Sequence, residues 1–269
     1  MKLRITILIL FFVLSLFNIQ AQNQHFWDGI EAFDGPTDDN PVLAAQIDFY
    51  FDKIVAPLPD SINVEIDRLV HRSSFNTDLR DFILWHLLEK YTHPEYMSQD
   101  QVFVYLYEQY FSQLEIKDLN ETNLTLIRDK AERLRKLALF NIAPNFQLSD
   151  SIDLRSVESD YTVLFFYDHD CDVCQQEMRD LDSVVAQHPE IRVLALDMNP
   201  ECSGGFEIRP QRNGDLKSPI QHHRITNPSE LNVLYDLYDI ETTPLIYVLD
   251  RDKRIIAKKI QTKQIPLIL

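Results

Sequence analysis

Residues 161–174 of this chain are Tyr161-Thr162-Val163-Leu164-Phe165-Phe166-Tyr167-Asp168-His169-Asp170-Cys171-Asp172-Val173-Cys174. The first seven residues are mostly β-branched or aromatic, which predicts a buried strand. Three polar residues interrupt it, and two cysteines three positions apart follow at once. Behind the cysteines, apolar residues recur with the spacing of one helix face: Met178, Leu181, Val184 and Val185. The sequence therefore predicts that the cysteine pair lies where a strand gives way to the N-terminus of a helix.

This predicted position has a chemical consequence for the cysteines. Unpaired backbone N–H groups and the helix dipole stabilise negative charge at a helix N-terminus, which favours the thiolate. The thiolate is the reactive form, so the position suits thiol–disulfide exchange. Asp168, Asp170 and Asp172 repel a thiolate at Cys171, whereas His169 would favour it when protonated. The acidic residues argue against a strongly oxidising cysteine pair.

The rest of the second half of the chain predicts an α/β domain. Residues 191–197 form another apolar run after the helix, and a strand–helix–strand order predicts two parallel strands. The later predicted elements are, in order, a helix that Asn227-Pro228 opens and Tyr238 ends, and strands at 245–249 and 254–260. Thr243 and Pro244 stand immediately before the first of these two strands.

Residues 143–260 resemble exported, thioredoxin-like thiol–disulfide oxidoreductases of the TlpA/ResA type. Three motifs carry the resemblance: Ala143-Pro144-Asn145-Phe146, Cys171-Asp172-Val173-Cys174-Gln175-Gln176-Glu177 and Tyr238-Asp239-Ile240-Glu241-Thr242-Thr243-Pro244. The resemblance covers nearly half of the chain, and its order of elements is far more specific than a lone C-x-x-C. It implies a central mixed sheet flanked by helices.

The resemblance also implies a role for each site residue. Cys171 would be the exposed nucleophile, and Cys174 the resolving thiol that closes a Cys171–Cys174 disulfide. Pro244 would be a cis-proline facing the cysteines, with the Thr243 backbone pairing with an extended substrate. Glu177 occupies the position of a buried carboxylate that takes or gives a proton during exchange. Its alternative interpretation is an ordinary first-turn acid that favours the helix dipole.

The resemblance implies a protein thiol or disulfide as substrate, an upstream electron donor and no cofactor. The sequence departs from the family's pattern at Asp170 and Val173, where Trp and Pro are usual. These departures leave a second function open, a thioredoxin-like binding or scaffold protein with a static CxxC disulfide. A peroxiredoxin is disfavoured, because the residues before Cys171 lack the Thr or Ser and the Pro that cradle a peroxide.

Cys202 is a third cysteine in a Ser-Gly-Gly loop, and we interpret it as a bystander. His222 and His223 could join the three cysteines as metal ligands only if this loop folded back onto the helix. No metal site is therefore predicted.

The first 21 residues have the layout of a secretory signal peptide. Met1–Arg4 is basic, Ile5–Phe17 is almost wholly apolar, and Ala21 is a small residue at a plausible cleavage point. The apolar run is shorter than the roughly 20 residues of a membrane-spanning helix. We therefore expect an exported protein in the periplasm or cell envelope of a Gram-negative bacterium, without stable membrane insertion after signal cleavage.

Residues 22–140 predict an all-α domain, and residues 141–269 the thioredoxin-like domain. The predicted helices of the first domain lie at 42–55, 62–70, 78–88, 102–107 and 121–139. Ser98 and Gln101 predict a capping box before the fourth of them. The domain also resembles an N-terminal domain of unknown role that accompanies such modules in some bacterial proteins. A net charge of −16 argues against nucleic acid and anionic membranes as partners.

Overall fold

The computed structural model describes residues 26–27, 40–149, 152–200, 218–225 and 227–269. The predicted signal peptide and Cys202 lie outside these residues. Within the described ranges, no helix has the length and apolar character needed to cross a membrane. The chain divides into two compact units. The first comprises the described residues up to His93 with Glu108–Leu119, and the second comprises Pro94–Tyr107 with the described residues from Asn120 to Leu269.

The first unit is helical, with α1 (Pro41–Lys53), α2 (Pro59–Arg72) and α3 (Thr77–Lys90). Asn40 caps α1, because its side chain accepts a hydrogen bond from the Leu43 backbone N–H at 3.0 Å. Each helix buries an apolar face, which includes Leu43, Ile47, Ile62, Ile66, Leu69, Ile83, Leu84 and Leu87. The predicted helical character of this region is confirmed.

The next helices are α4 (Asp100–Leu106), which continues into one turn of π-helix (Tyr107–Phe111), and α5 (Glu121–Lys136). The predicted capping box of Ser98 and Gln101 is wrong, because α4 begins without a side-chain cap. The Gln101 amide instead donates to the Leu134 carbonyl of α5 at 3.0 Å. The Leu134 carbonyl lies in the last turn of α5 and also accepts the Leu137 backbone N–H at 3.1 Å, so Gln101 is a second donor to this helix end.

Helices α4 and α5 belong to the second unit, although the sequence groups them with residues 22–140. The buried Lys258 donates to the Asp100 carboxylate of α4 and, at 2.6 Å, to the carbonyl of Leu137 just after α5. The domain boundary after residue 140 remains a proposal about how the chain is organised.

The second unit contains a short hairpin, β1 (Gln147–Ser149) and β2 (Ile152–Asp153), and a mixed sheet. The strands of the sheet are β3 (Tyr161–Tyr167), β4 (Ile191–Asp197), β5 (Ile220–Arg224), β6 (Leu245–Leu249) and β7 (Ile255–Lys258), in the spatial order β5-β4-β3-β6-β7. Strands β3, β4 and β5 run parallel, whereas β6 and β7 are antiparallel to their neighbours. Helix α6 (Asp172–Gln187) joins β3 to β4, and α7 (Pro228–Tyr238) precedes β6. This arrangement confirms the predicted thioredoxin-like α/β class.

Successive residues of β3 point to opposite faces of the sheet. Leu164 and Phe166 pack into the core that includes residues of α7, whereas Val163, Phe165 and Tyr167 share a core with Cys174 and Leu181 of α6. Because β3 and β4 are parallel, their carboxyl ends meet at one edge of the sheet, where α6 begins. The fold thus places the cysteines at the carboxyl edge of the parallel strands.

Candidate functional site

Cys171 is the N-cap residue of α6 and is partly exposed. Its Sγ accepts a hydrogen bond from the Cys174 backbone N–H at 3.3 Å. Its own backbone N–H donates to the Asp168 carbonyl at 3.1 Å, which closes the turn between β3 and α6. The sulfur therefore lies at the positive end of a helix of 16 residues, where backbone N–H groups stabilise a thiolate.

Cys174 lies one turn further along α6 and is fully buried. Burial, together with the hydrogen bond to Cys171, raises the pKa of the Cys174 thiol to about 12. Hydrogen bonds from the Asp168 backbone and the Thr243 side chain lower this pKa in part. Both cysteines are free thiols in the structure, so the Cys171–Cys174 disulfide remains a prediction. The arrangement pairs an accessible sulfur with a buried one at the same helix end.

Thr243 and Pro244 lie between α7 and β6, and the peptide bond that joins them is cis, as the resemblance implies. Both residues are half-buried. The hydrogen bond of the Thr243 side chain to Cys174 places this pair beside the buried sulfur. The structure thus brings Thr243, which was predicted to bind substrate, next to Cys174, although the two residues are far apart in sequence.

Asp239 anchors the segment that leads from α7 to Thr243. Its carboxylate lies 3.2 Å from Arg133 Nε and 3.3 Å from Lys259 Nζ, with Lys130 Nζ at 3.7 Å. Burial favours the neutral acid, but the charges of Lys130, Lys259 and Arg133 outweigh it and lower the pKa of the Asp239 carboxyl. These ion pairs hold the segment to α5 and to the end of β7.

Glu177 is half-buried on α6, one turn beyond Cys174. Its Oε2 accepts a hydrogen bond of 2.8 Å from the backbone N–H of Thr262, at the start of a 3₁₀ helix (Thr262–Leu267). The Thr262 hydroxyl in turn donates to the Glu177 carbonyl at 3.3 Å. The carboxylate therefore has a structural contact, and its predicted role in proton transfer remains a proposal.

His169 lies in the turn before Cys171, and its ring is bonded to a carboxylate that the sequence reasoning missed. Nδ1 lies 2.9 Å from Oδ2 and 3.1 Å from Oδ1 of Asp197, the fully buried last residue of β4. Asn199 donates its backbone N–H to Asp197 at 3.2 Å and its side-chain amide to Asp168 at 3.0 Å. The available signal was that Asp197 ends the strand predicted to run parallel to β3, so its carboxylate reaches the same sheet edge.

Further polar groups extend along this edge. Burial raises the pKa of the Tyr167 phenol and lowers the pKa of the imidazoles of His222 and His223 on β5. The rings of Tyr167 and His222 are 6.4 Å apart. Across the described parts of the chain, no three His, Cys, Asp or Glu side chains are arranged to hold a metal ion. The alternative with Cys202 as a ligand lies partly outside the described residues.

Comparison with known proteins finds a family match in the second half of the chain and a solved structure of similar fold. Residues 140–258 match the AhpC/TSA family. A thioredoxin-like protein from Bacteroides caccae is 16% identical, with 93% of this chain and 91% of that chain covered and a TM-score of 0.67. A domain of a possible thiol-disulfide isomerase from Cytophaga hutchinsonii is 28% identical over 48% of this chain and 89% of that chain, with a TM-score of 0.37. No curated protein matches this sequence. The thioredoxin-like fold predicted from the sequence is confirmed.

Proposed function

We propose that this protein is a thiol–disulfide oxidoreductase of the cell envelope that reduces disulfides of protein substrates through Cys171 and Cys174. One observation carries the proposal: a partly exposed sulfur caps the helix, and a buried sulfur lies directly behind it, beside Thr243. The AhpC/TSA match and the thioredoxin-like fold support the same reaction class. Within that class, the motifs around both cysteines favour the TlpA/ResA type.

The reaction takes place in two exchange steps. The Cys171 thiolate attacks one sulfur of the substrate disulfide, so a Cys171–substrate bond forms and the first substrate thiolate leaves. Cys174 then loses its proton and attacks Cys171 Sγ, which forms the Cys171–Cys174 disulfide and releases the second substrate thiolate. In the net balance, the two protein thiols release two protons and the two substrate thiolates take up two protons. Two electrons pass to the substrate, and an upstream donor must return them.

The surroundings of the cysteines favour a reductant over an oxidant. A dithiol is strongly oxidising when its reduced form is stabilised, above all as a thiolate. Here the Cys174 thiol has a pKa of about 12, because it is buried, so it stays protonated at neutral pH. The reduced form therefore gains little from ionisation, and the oxidised form is favoured. This direction of electron flow suits a donor of electrons to substrate disulfides.

The first experiment is a measurement of disulfide reduction and of redox potential. We expect the mature protein to reduce insulin with dithiothreitol as the electron source. Its potential should lie nearer the roughly −270 mV of thioredoxin than the roughly −120 mV of a strong oxidant. The alternative function, a scaffold with a static disulfide, predicts no turnover and a CxxC disulfide that millimolar dithiothreitol leaves intact. That pair of results would overturn the proposal.

Glu177 is the proposed acceptor of the Cys174 proton. A thiol with a pKa of about 12 is protonated at neutral pH, so its attack on Cys171 needs a base. Glu177 stands three residues after Cys174, on the same side of α6, and its Oε2 is oriented by the Thr262 N–H. This geometry suits a carboxylate that passes the proton on to solvent.

Replacing Glu177 with glutamine separates its two possible roles. The amide oxygen of Gln can still accept the Thr262 hydrogen bond, but an amide does not take up a proton at neutral pH. We expect Glu177→Gln to slow the resolving step by about 100-fold, the lower end for general base catalysis. Glu177→Ala should have the same kinetic defect and also lose about 1–2 kcal/mol of stability. Stopped-flow kinetics of mixed-disulfide resolution tests this, and a wild-type rate in Glu177→Gln would leave Glu177 a structural role alone.

A further inference from the structure

The turn that carries Cys171 is held by residues at the end of β4 and by a residue of α6. Asp197 binds the ring of His169 through Nδ1, and the Asn199 amide binds the Asp168 carboxylate. On the helix side, the Gln175 amide donates to the His169 carbonyl at 2.9 Å. His169 is thus fixed at both its ring and its backbone, two residues before the nucleophilic sulfur. Its ring is buried, with 4% of the side chain exposed.

Both ring nitrogens of His169 face carboxylates. Nδ1 is bonded to the buried Asp197, and Nε2 lies 3.5 Å from Oδ2 of Asp170, which is 69% exposed. The second distance is too long for a hydrogen bond but short enough for an ion pair, so Nε2 is buried without a hydrogen-bond partner. An ionised carboxylate only accepts hydrogen bonds, so both ring nitrogens of His169 face hydrogen-bond acceptors.

Titratable and charged side chains near the His169–Asp197 pair come from the turn, from β3 and β5 and from the start of α6. They are Asp168, Asp170 and Cys171 of the turn, Tyr167 of β3, Arg224 and His222 of β5, and Asp172 of α6. Arg224 Nε lies 3.5 Å from Asp197 Oδ2, on the strand side of the carboxylate. Asp170 is the acid of the turn that approaches the imidazole nitrogen left without a hydrogen bond. The His169 imidazole therefore lies between the Asp197 and Asp170 carboxylates.

We propose that His169, held by Asp197, is a positioning residue for Cys171: its positive charge offsets Asp170, so that the Cys171 thiolate can form beside an acidic turn. Without His169, the thiolate would face Asp170 uncompensated, and like charges at short range disfavour ionisation. Asp197 has no direct part in the reaction; it orients the imidazole through Nδ1. The proposal rests on the proposed function only in taking Cys171 as the nucleophile.

A double-mutant cycle tests this coupling through the reactivity of Cys171 itself. His169→Asn keeps a donor where Nδ1 stands, and thus the bond to Asp197, but removes the positive charge. In a Cys202→Ser background at pH 7, we expect His169→Asn to slow alkylation of Cys171 by iodoacetamide about tenfold. Asp170→Asn should change the rate less than about twofold when His169 is present, and raise it about fivefold in the His169→Asn background. The redox potential should fall in His169→Asn and recover in the double variant.

A matched control exists at the other end of α6, where His188 pairs with Glu190 through Nδ1 at 3.0 Å. His188→Asn should leave the alkylation rate unchanged. Equal effects of Asp170→Asn in both backgrounds, or a wild-type rate in His169→Asn, would overturn the proposal. If His169→Asn does not fold, Asp197→Asn replaces it and must slow alkylation for the proposal to stand. Alkylation needs no turnover, so an absence of insulin reduction would count against the proposed function and not against this coupling.

Discussion

Cys171→Ser is expected to abolish insulin reduction, whereas Cys174→Ser is expected to accumulate a mixed disulfide with the substrate. Cys171 has the accessible sulfur at the helix N-terminus, so its loss removes the attacking thiolate and should lower turnover on the order of 10³-fold or more. Cys174 is buried behind it and acts only in the second step. Without Cys174, the first attack proceeds and the Cys171–substrate bond is not resolved.

The measurement is mass spectrometry of the intact protein after incubation with a disulfide-containing peptide. Cys174→Ser should carry one peptide per chain, released by dithiothreitol, and Cys171→Ser should carry none. Cys202→Ser is the control, since we interpret this cysteine as a bystander, and it should turn over like the wild type. A trapped peptide on Cys174 in the Cys171→Ser variant would reverse the assigned roles. Equal turnover in both variants would remove the dithiol mechanism altogether.

The parts of this site that the sequence predicted are those set by local pattern. A run of β-branched and aromatic residues gives β3, and the spacing of Met178, Leu181 and Val185 gives the apolar face of α6. Together they place Cys171 at the helix N-terminus. The β–α–β order then makes β4 parallel to β3, because such crossovers lead to parallel strands. Thr243 and Pro244 were found by resemblance, since no local pattern connects them with the cysteines.

The parts that the sequence did not predict depend on register and on long-range pairing. The hydropathy of Asp197 does not indicate whether its side chain is exposed or buried. Only its position at the end of β4 brings the carboxylate to His169. Gln101 follows Ser98 at capping-box spacing, yet its amide reaches Leu134, 33 residues away in sequence. Polar side chains have several partners of similar energy, and the packed fold selects among them.

Long-range pairing that the sequence does not show also affects the predicted domain boundary after residue 140. The chain before it is helical, and the chain after it is α/β. However, Asp100 precedes the boundary and Lys258 follows it, and the two form a buried ion pair. Their side chains are 2% and 1% exposed. A buried charge pair has no signature in hydropathy or spacing, because each member alone predicts a surface residue.

Lys258→Met is expected to cost about 3–5 kcal/mol of stability, which is typical when one partner of a buried ion pair is removed. Methionine fills much of the volume of lysine, so a cavity contributes little. The loss comes from the Asp100 carboxylate, which stays buried without its cation, and from the Leu137 carbonyl, which loses its donor at 2.6 Å. Burial lowers the pKa of the Lys258 ammonium, because desolvation disfavours its charged form. The Asp100 carboxylate opposes this effect in part, because it stabilises the charged form.

The double variant Lys258→Met/Asp100→Asn separates charge from packing. If the uncompensated carboxylate causes the loss, removing its charge should restore at least about 2 kcal/mol, even though the ion pair is still absent. Urea unfolding followed by far-ultraviolet circular dichroism gives the comparison, with the exposed Lys263→Met as the matched control, which should change stability by less than about 0.5 kcal/mol. A single variant as stable as the wild type would show that Asp100 finds water or another donor, and that the pair does not bind α4 to the sheet. A double variant no better than the single one would assign the loss to packing around Leu137 instead of charge.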